Sequence, residues 1–267
     1  MSVMCCIAFL CYIGRTNMQT WQSSLFKEYP WVVHGTSTRA FGSCRYPNAE
    51  ETDDPWQENR ARFLQSLGLD PTKLIVSGNA HDGYVAPIMM PAESCSAGRI
   101  EGIDALMTAQ SGISLGVKSA DCLPVFVVDP VHRVVGLAHA GWKGIVAEII
   151  PHLIGAMASL GSHPKDLLVA IGPSIGLCHY DIHQERHDEL VTAVPGTPPS
   201  ASVELGGGRY RCDLFELARH QLLASGLATD HIAERPPCTA CHPDLFPSYF
   251  AQKDKQQGML SVIGIRG

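Results

Sequence analysis

Short runs of consecutive apolar residues recur through the middle and at the end of the chain. They cover residues 74–76, 113–117, 123–128, 134–139, 167–171 and 259–265. Apolar runs of this length, bounded by turn residues, are typical of buried strands. Between the third and fourth runs lies Asp129-Pro130-Val131-His132, a turn signal that predicts an antiparallel hairpin.

Other segments carry the signals of helices. Residues 53–68 predict a helix that Asp54 caps, with Pro55 at the first helical position and Gln57 completing a capping-box-like pair. Gly68 predicts its end. Residues 145–160 are apolar on almost every side and predict a buried helix bent at Pro151. Further helices are predicted at 185–194 and 214–225, and loops at 195–200 and 206–208 are predicted to bound a hairpin.

Strands and helices do not alternate regularly, and short turns join neighbouring strands. This pattern favours an α+β fold, with mixed β-sheets packed against helices, over a doubly wound one. No linker divides the chain, so we expect a single domain over residues 21–267. Residues 1–20 are expected to be an N-terminal extension without stable structure. Their apolar stretch is too short to span a membrane and makes a poor secretion signal, which favours a cytoplasmic protein.

Composition narrows the class of protein further. Apolar residues make up 45 % of the chain and charged residues 17 %, which is typical of a globular protein. The net charge of −6 gives no sign of a nucleic-acid partner. The ten cysteines do not form the spread framework of a secreted disulfide protein, so we interpret most of them as reduced thiols. We expect no membrane partner, and a monomer or a weak homodimer.

The strongest candidate chemistry lies on the predicted hairpin. Cys122 precedes its first strand and His139 ends its second, and antiparallel pairing brings these two ends together. A thiolate and an imidazole suit zinc, and His81 is a plausible third ligand that would leave one position open, as in catalytic zinc sites. Asp121 is a candidate for proton transfer. Trp142 is a candidate for stacking on a flat ring. Two alternatives stay open: packing roles for these side chains, or a thiolate–imidazole nucleophile pair.

Several motifs along the chain resemble those of the YfiH/LACC1 family, formerly called multicopper polyphenol oxidases or laccases. They are His34-Gly35-Thr36-Ser37-Thr38-Arg39, Asp53-Asp54-Pro55 with Asn59-Arg60, Ser119-Ala120-Asp121-Cys122-Leu123-Pro124-Val125, His139-Ala140-Gly141-Trp142-Lys143-Gly144, Ile171-Gly172-Pro173-Ser174-Ile175-Gly176 and Cys238-Thr239-Ala240-Cys241. The motifs follow the family's order and run from about residue 31 to the C-terminus. The third and fourth together are quite specific.

The resemblance implies a YfiH/CNF1-like α/β sandwich with a mononuclear zinc site at His81, Cys122 and His139. It also implies phosphorolysis of adenosine, inosine and methylthioadenosine, and deamination of adenosine. Phosphate would be held near the sugar, and Arg39, Arg60 and Lys143 are the candidate anchors. Trp142 is a fourth candidate substrate contact.

The sequence departs from the family pattern at three places. Asn79-Ala80-His81-Asp82 stands where the family has Gln-Val-His-Gly, and Lys143 stands where it has arginine. Ser248-Tyr249-Phe250-Ala251 replaces a Ser-Tyr-Arg-Arg run, so a basic pair that could meet phosphate is missing there.

Two other cysteine motifs permit different chemistry. Residues 238–242 fit the Cys-x-x-Cys-His pattern of covalent haem attachment, which would require export and an axial ligand. A redox pair or a second zinc site at Cys238 and Cys241 is disfavoured because no partner Cys-x-x-Cys exists. Cys178-His179 follows a Gly/Pro loop, and a loop and packing role is favoured over an extra pair of metal ligands.

Three functions compete with the nucleoside enzyme. A copper-loaded site could oxidise phenols, as the old family label suggests, although the clustered histidines of multicopper oxidases are missing. The same site could hydrolyse a peptidoglycan precursor. The chain could also be a non-catalytic binding module that keeps a metal for stability.

Overall fold

The computed structural model describes residues 20–47, 51, 53–78 and 83–267. Fourteen strands occur in this part of the chain: β1 Thr20–Trp21, β2 Val32–Ser37, β3 Leu74–Ser77, β4 Val85–Pro87, β5 Gly98–Ile100, β6 Ala105–Thr108, β7 Ser114–Ser119, β8 Leu123–Asp129, β9 Val134–Ala140, β10 Leu168–Ile171, β11 Asp181–His183, β12 Ser202–Gly206, β13 Arg209–Cys212 and β14 Met259–Ile265. The α-helices there are α1 Gln57–Ser66, α2 Trp142–Val146, α3 Ile149–Met157, α4 Gln184–Ala193, α5 Leu214–Ala224 and α6 Tyr249–Gln252.

The strands form three sheets. A six-stranded sheet has the order β1-β2-β14-β7-β3-β5, a five-stranded sheet has β10-β8-β9-β6-β4, and a small sheet has β11-β13-β12. The first two mix pairing directions: β3 runs parallel to β7 and β5, and β4 runs parallel to β6, while the other pairs are antiparallel. The prediction of an α+β fold with mixed sheets is confirmed.

The hairpin of β8 and β9 lies at the centre of the five-stranded sheet, as predicted. Asp129 closes its turn, since one carboxylate oxygen accepts the N–H groups of Val131 and His132. Along β8, Val125 and Val127 face one core cluster. Phe126 and Val128 face another. Because both faces are covered, the strand is a continuous apolar run without alternation.

Three clusters of buried apolar side chains show how the sheets and helices are layered. One core lies between the two large sheets and joins Leu115 and Ile263 to Phe126. A second core lies between the five-stranded sheet and helices α2 to α5. Helix α1 packs Phe63 and Leu64 on the outer face of the six-stranded sheet. Burying side chains of this size stabilises the fold by about 1.5–3 kcal/mol each.

The start of α1 differs from its prediction. The N-cap residue is Trp56, and no side chain caps this helix, so the predicted capping by Asp54 is wrong. The carboxylate of Asp54 instead pairs with the guanidinium of Arg60. This charged partner six positions along the chain competes with the backbone N–H groups for the same oxygens. The predicted end is confirmed, because Gly68 has a φ of +73°.

The predicted bend in the apolar helix also lies elsewhere. The chain breaks between α2 and α3 at Glu148, which has a φ of +55°. Pro151 lies in the first turn of α3, where a missing N–H costs no helical hydrogen bond. The proline is therefore compatible with a straight α3. The apolar helix is interrupted at Glu148, whose backbone is left-handed.

Most other predicted elements are present within one or two residues of their predicted bounds, including β14 and the hairpin of β12 and β13. The predicted extension of residues 1–20 lies outside the described residues except for Thr20, which pairs with Ser37. Short strands such as β4 and β5 escaped prediction because three residues carry too little periodicity. Within the described residues, no helix combines the length and apolarity that crossing a bilayer requires.

The buried imidazole of His34 predicts a pH dependence of stability. Its Nε2 accepts the N–H of Ser23 at 2.8 Å, and burial lowers the pKa of His34 from 6.5 to about 4. Between these values the unfolded chain binds a proton that the folded chain excludes. Stability is therefore full above about pH 6.5 and falls as the pH drops from there towards 4, by up to about 1.4 kcal/mol per pH unit.

Urea unfolding of the wild type and His34→Gln at pH 7, 6 and 5 measures this contribution. Glutamine keeps a hydrogen-bond acceptor but does not titrate, so we expect a shallower pH dependence in the variant. Equal slopes for the two proteins would contradict the assignment.

Candidate active site and thiol–imidazole cluster

Cys122 and His139 meet at one end of the central hairpin. Leu123 pairs with Ala140, which places the residue before β8 beside the end of β9. A Cβ built on Gly141 would lie 2.8 Å from the sulfur of Cys122 and 3.8 Å from Cε1 of His139. Glycine at position 141 therefore leaves room for the thiol of Cys122, with the imidazole of His139 nearby.

The surroundings of Cys122 disfavour a free thiolate. Burial raises the pKa of its thiol to about 12, and the charge of the neighbouring Asp121 raises it too. The thiolate is the nucleophilic form, so an unassisted thiolate nucleophile is unfavourable here at neutral pH. This weakens the alternative of a thiolate–imidazole nucleophile pair.

His81, the third predicted metal ligand, lies outside the described residues. The described chain resumes at Gly83, whose N–H donates to Oδ2 of Asp104 at 3.1 Å. The backbone carbonyl of Asp104 accepts the N–H of His139 at 2.8 Å. The segment that begins at Gly83 is thus joined to the end of β9 through one residue.

Asp121 forms hydrogen bonds to three separate parts of the chain. Its carboxylate accepts the hydroxyl of Thr239 and the backbone N–H of Phe250, each at 2.6 Å, and its carbonyl accepts the N–H of Ile175 at 2.8 Å. The residue is buried and has a φ of +98°. Strain of this kind persists only where surrounding contacts hold it. These contacts favour a positioning role over the predicted proton transfer.

A cavity of about 360 Å³ opens beside Cys122. Its lining comprises Ala120, Asp121, Cys122, Trp142, Ile175, Tyr180, Arg186, Leu214, Tyr249, Phe250 and Lys253. Four aromatic side chains and two cationic ones therefore face one space. Such a mixture of flat apolar walls and a few charged groups is typical of a small-molecule site.

The two cations rest on the aromatic walls. The guanidinium of Arg186 lies 4.6 Å from the ring centre of Trp142, and Nζ of Lys253 lies 4.6 Å from that of Phe250. Among the described residues, no carboxylate forms an ion pair with either of them. Their positive charge therefore remains available to an anion that enters the cavity.

Of the four predicted substrate contacts, one lines the cavity and three lie outside it. Trp142 lines the cavity, whereas Arg39, Arg60 and Lys143 do not. Arg39 donates to the carbonyl of Pro243, and Arg60 is buried in its pair with Asp54. Lys143 is exposed, 5.8 Å from the ring centre of Trp142.

Sequence reasoning missed the cations of the cavity itself. Arg186 lies on α4 and Lys253 just after α6, and neither belongs to a recognisable motif. Lys253 follows the stretch where the family's basic pair is missing, which is the one signal that could have indicated it.

A second group of donor atoms lies beyond the cavity wall. Its members are Cys178, His179, Cys238 and Cys241, whose ligand atoms all lie within 4.8 Å of one another. This group is capable of holding a metal ion. Two cysteine motifs that the sequence analysis weighed separately, and disfavoured as metal sites, meet here. The partner of Cys238 and Cys241 is a Cys-His pair and not a second Cys-x-x-Cys motif, so the spacing of cysteines along the chain does not indicate the group.

The fold and the cavity define an α+β protein with a small-molecule pocket bordered by possible metal ligands. Residues 33–266 match the family described as multi-copper polyphenol oxidoreductase laccase. The chain belongs to this family, and the resemblance inferred from the motifs is confirmed.

Similar proteins include a purine nucleoside phosphorylase YlmD from Geobacillus stearothermophilus, 38 % identical over 169 residues. That match covers 62 % of this chain and 61 % of the relative. Purine nucleoside phosphorylase ORF3 of Streptomyces griseus is 35 % identical over 230 residues, covering 85 % of this chain and 88 % of the relative. The crystal structure of YlmD from Geobacillus stearothermophilus superposes with a TM-score of 0.83 at 28 % identity, covering 95 % of this chain and 98 % of that one.

Replacement of Asp121 tests whether its hydrogen bonds stabilise the folded protein. Asp121→Ala removes two hydrogen bonds to a charged acceptor, and we expect a loss of about 2–4 kcal/mol in the free energy of unfolding. Asp121→Asn keeps one acceptor oxygen and should lose less. Urea denaturation of both variants measures the difference, and an Asp121→Ala protein as stable as the wild type would refute the role.

Proposed function

We propose that this protein is a zinc-dependent purine nucleoside phosphorylase. The observation that carries the proposal is the cavity itself, where aromatic walls and two available cations surround a space next to Cys122 and His139. The names of the relatives, purine nucleoside phosphorylases from several bacteria, support an enzyme of this kind.

The walls of the cavity suit the two substrates. Trp142, Tyr180, Tyr249 and Phe250 line the cavity with aromatic rings, and a purine ring would gain energy from contact with them. Arg186 and Lys253 offer positive charge for phosphate, and an arginine can hold it with two parallel hydrogen bonds. Their placement in one cavity would hold phosphate near the sugar and keep the reactants together.

Zinc is the metal that we assign to the cavity, with Cys122, His139 and His81 as its ligands. The first two fit on geometry and on donor chemistry, because a thiolate and an imidazole suit this borderline ion. His81 enters the set from the family resemblance alone. A zinc ion bound there would supply Lewis-acid stabilisation of developing negative charge.

Inosine, adenosine and methylthioadenosine are the substrates that we assign, and deamination of adenosine is a second reaction of the same site. All three nucleosides share the purine ring that the aromatic walls would recognise. In this scheme Asp121 positions the walls, because its carboxylate accepts the N–H of Phe250 and its carbonyl accepts the N–H of Ile175, and both residues line the cavity.

Copper-dependent phenol oxidation is the second candidate, and the family's description is the observation that favours it. Multicopper oxidation requires several metal-ligand clusters. Among the described residues, the one group of three or more converging donors is the cysteine-rich group beyond the cavity wall. Metal analysis after native purification separates the two, since stoichiometric copper with strong visible absorbance would favour oxidation.

The role of Arg186 is tested by phosphorolysis kinetics. We expect Arg186→Ala to raise the KM for phosphate by about 10- to 100-fold, because a charge-assisted hydrogen bond is worth about 1.5–3 kcal/mol. Arg219→Ala is the matched control: this arginine pairs with Glu216 on α5, outside the cavity. The assay follows ribose-1-phosphate formed from inosine. An unchanged KM in Arg186→Ala, or no product from any of the three nucleosides with metal bound, would refute the proposal.

The metal is tested by removal of one ligand. Cys122→Ala should lose one equivalent of zinc and nearly all phosphorolysis, because two remaining ligands hold a metal weakly. Cys95→Ser replaces a buried cysteine outside the cavity and should keep both. Elemental analysis beside the kinetic assay measures the outcome. Full zinc content in Cys122→Ala would exclude this residue as a ligand.

A further inference from the structure

We propose a second metal site: a closed structural zinc site formed by Cys178, His179, Cys238 and Cys241. The site is separate from the cavity and does not depend on the reaction proposed there.

The distances fit four ligands around one ion. The sulfur of Cys178 lies 3.3 Å from that of Cys241, and Nδ1 of His179 lies 3.3, 3.7 and 3.5 Å from the sulfurs of Cys178, Cys238 and Cys241. In a tetrahedral site with zinc–sulfur bonds of about 2.3 Å, neighbouring ligand atoms are separated by roughly 3.5–3.8 Å. The four donors thus already lie near the corners that such an ion requires.

The donor set selects the metal and the type of site. Three thiolates and one imidazole in a tetrahedral arrangement are the ligands of structural zinc, and four protein ligands leave no position open for substrate. Cys238 and Cys241 have the Cys-x-x-Cys spacing that recurs in such sites. An adjacent Cys-His pair completes the set from another loop.

The backbone around the cluster is shaped to accommodate it. The N–H of Gly176 donates to the sulfur of Cys238 at 3.2 Å, the kind of second contact that orients a ligand. A Cβ at position 176 would lie 3.2 Å from Cβ of Cys238, and 3.4 and 3.5 Å from the sulfurs of Cys178 and Cys238. Glycine therefore lets the loop pass close to Cys238 without a tight contact to its side chain.

The site would join two loops that both build the cavity. The loop from β10 to β11 carries Cys178 and His179 and leads directly into Tyr180. The loop between α5 and α6 carries Cys238 and Cys241 and leads to Phe250. Backbone hydrogen bonds between Ser174 and its neighbours in the second loop already align the two. A shared metal ion would fix this alignment and stiffen the cavity wall.

Metal content of the full-length protein, purified without chelator, tests the proposal. We expect about two equivalents of zinc in the wild type and in Cys95→Ser, one in Cys122→Ala, one in Cys241→Ser and none in the double variant Cys122→Ala/Cys241→Ser. Zinc at wild-type level in Cys241→Ser, or none in Cys122→Ala, would overturn it. Loss of zinc in Cys241→Ser with no change in Cys122→Ala would refute the cavity metal and leave this site standing.

Cobalt(II) provides a readout that does not depend on activity. Cys122→Ala loaded with cobalt should show the visible absorption of a tetrahedral cobalt–thiolate centre, and His179→Asn in the same background should shift or remove it. This measurement decides the question even if Cys241→Ser fails to fold. An absent cobalt spectrum in Cys122→Ala, or a Cys178–Cys241 disulfide in the native protein by mass spectrometry after alkylation, would overturn the proposal.

Discussion

The pairing of β8 with β9 is the constraint on which the rest of this molecule depends. These two strands occupy the middle of a sheet that is buried on both faces, so they join the core between the large sheets to the core beneath the helices. Antiparallel pairing also brings the start of one strand beside the end of the other, and this places Cys122 next to His139. The same pairing therefore contributes to stability and defines the position of the site.

Around that fixed point the cavity is assembled from irregular segments, and Asp121 connects them. One buried carboxylate binds Thr239 and Phe250, and the same residue's carbonyl binds Ile175. The charged acceptor strengthens the two bonds to the carboxylate, which offsets the unfavourable φ of Asp121. The proposed zinc cluster would join the same two loops at a second place. With that ion bound, the site would combine a rigid strand edge with loops that are connected both by Asp121 and by the metal.

Much of the fold could be predicted because it rests on local signals. The apolar runs of β8, β9 and β10 in the five-stranded sheet and of β14 in the six-stranded sheet are strands whose two faces are both covered. Gly68 follows the end of α1 and adopts a positive φ. The errors arose where tertiary contacts outweighed local preference. Asp54 pairs with Arg60 instead of capping α1, and Glu148 interrupts the apolar helix that Pro151 was predicted to bend.

The sequence by itself determined the strand pattern, the family and the proximity of Cys122 to His139, because these follow from periodicity, motif and hairpin geometry. Only the tertiary structure decided which cations face the cavity and which cysteines converge. Arg186 and Lys253, or Cys178 and Cys241, are far apart along the chain and carry no shared pattern. Their meeting depends on how loops pack against the sheets, and loop packing is a property of the assembled core that no single segment encodes.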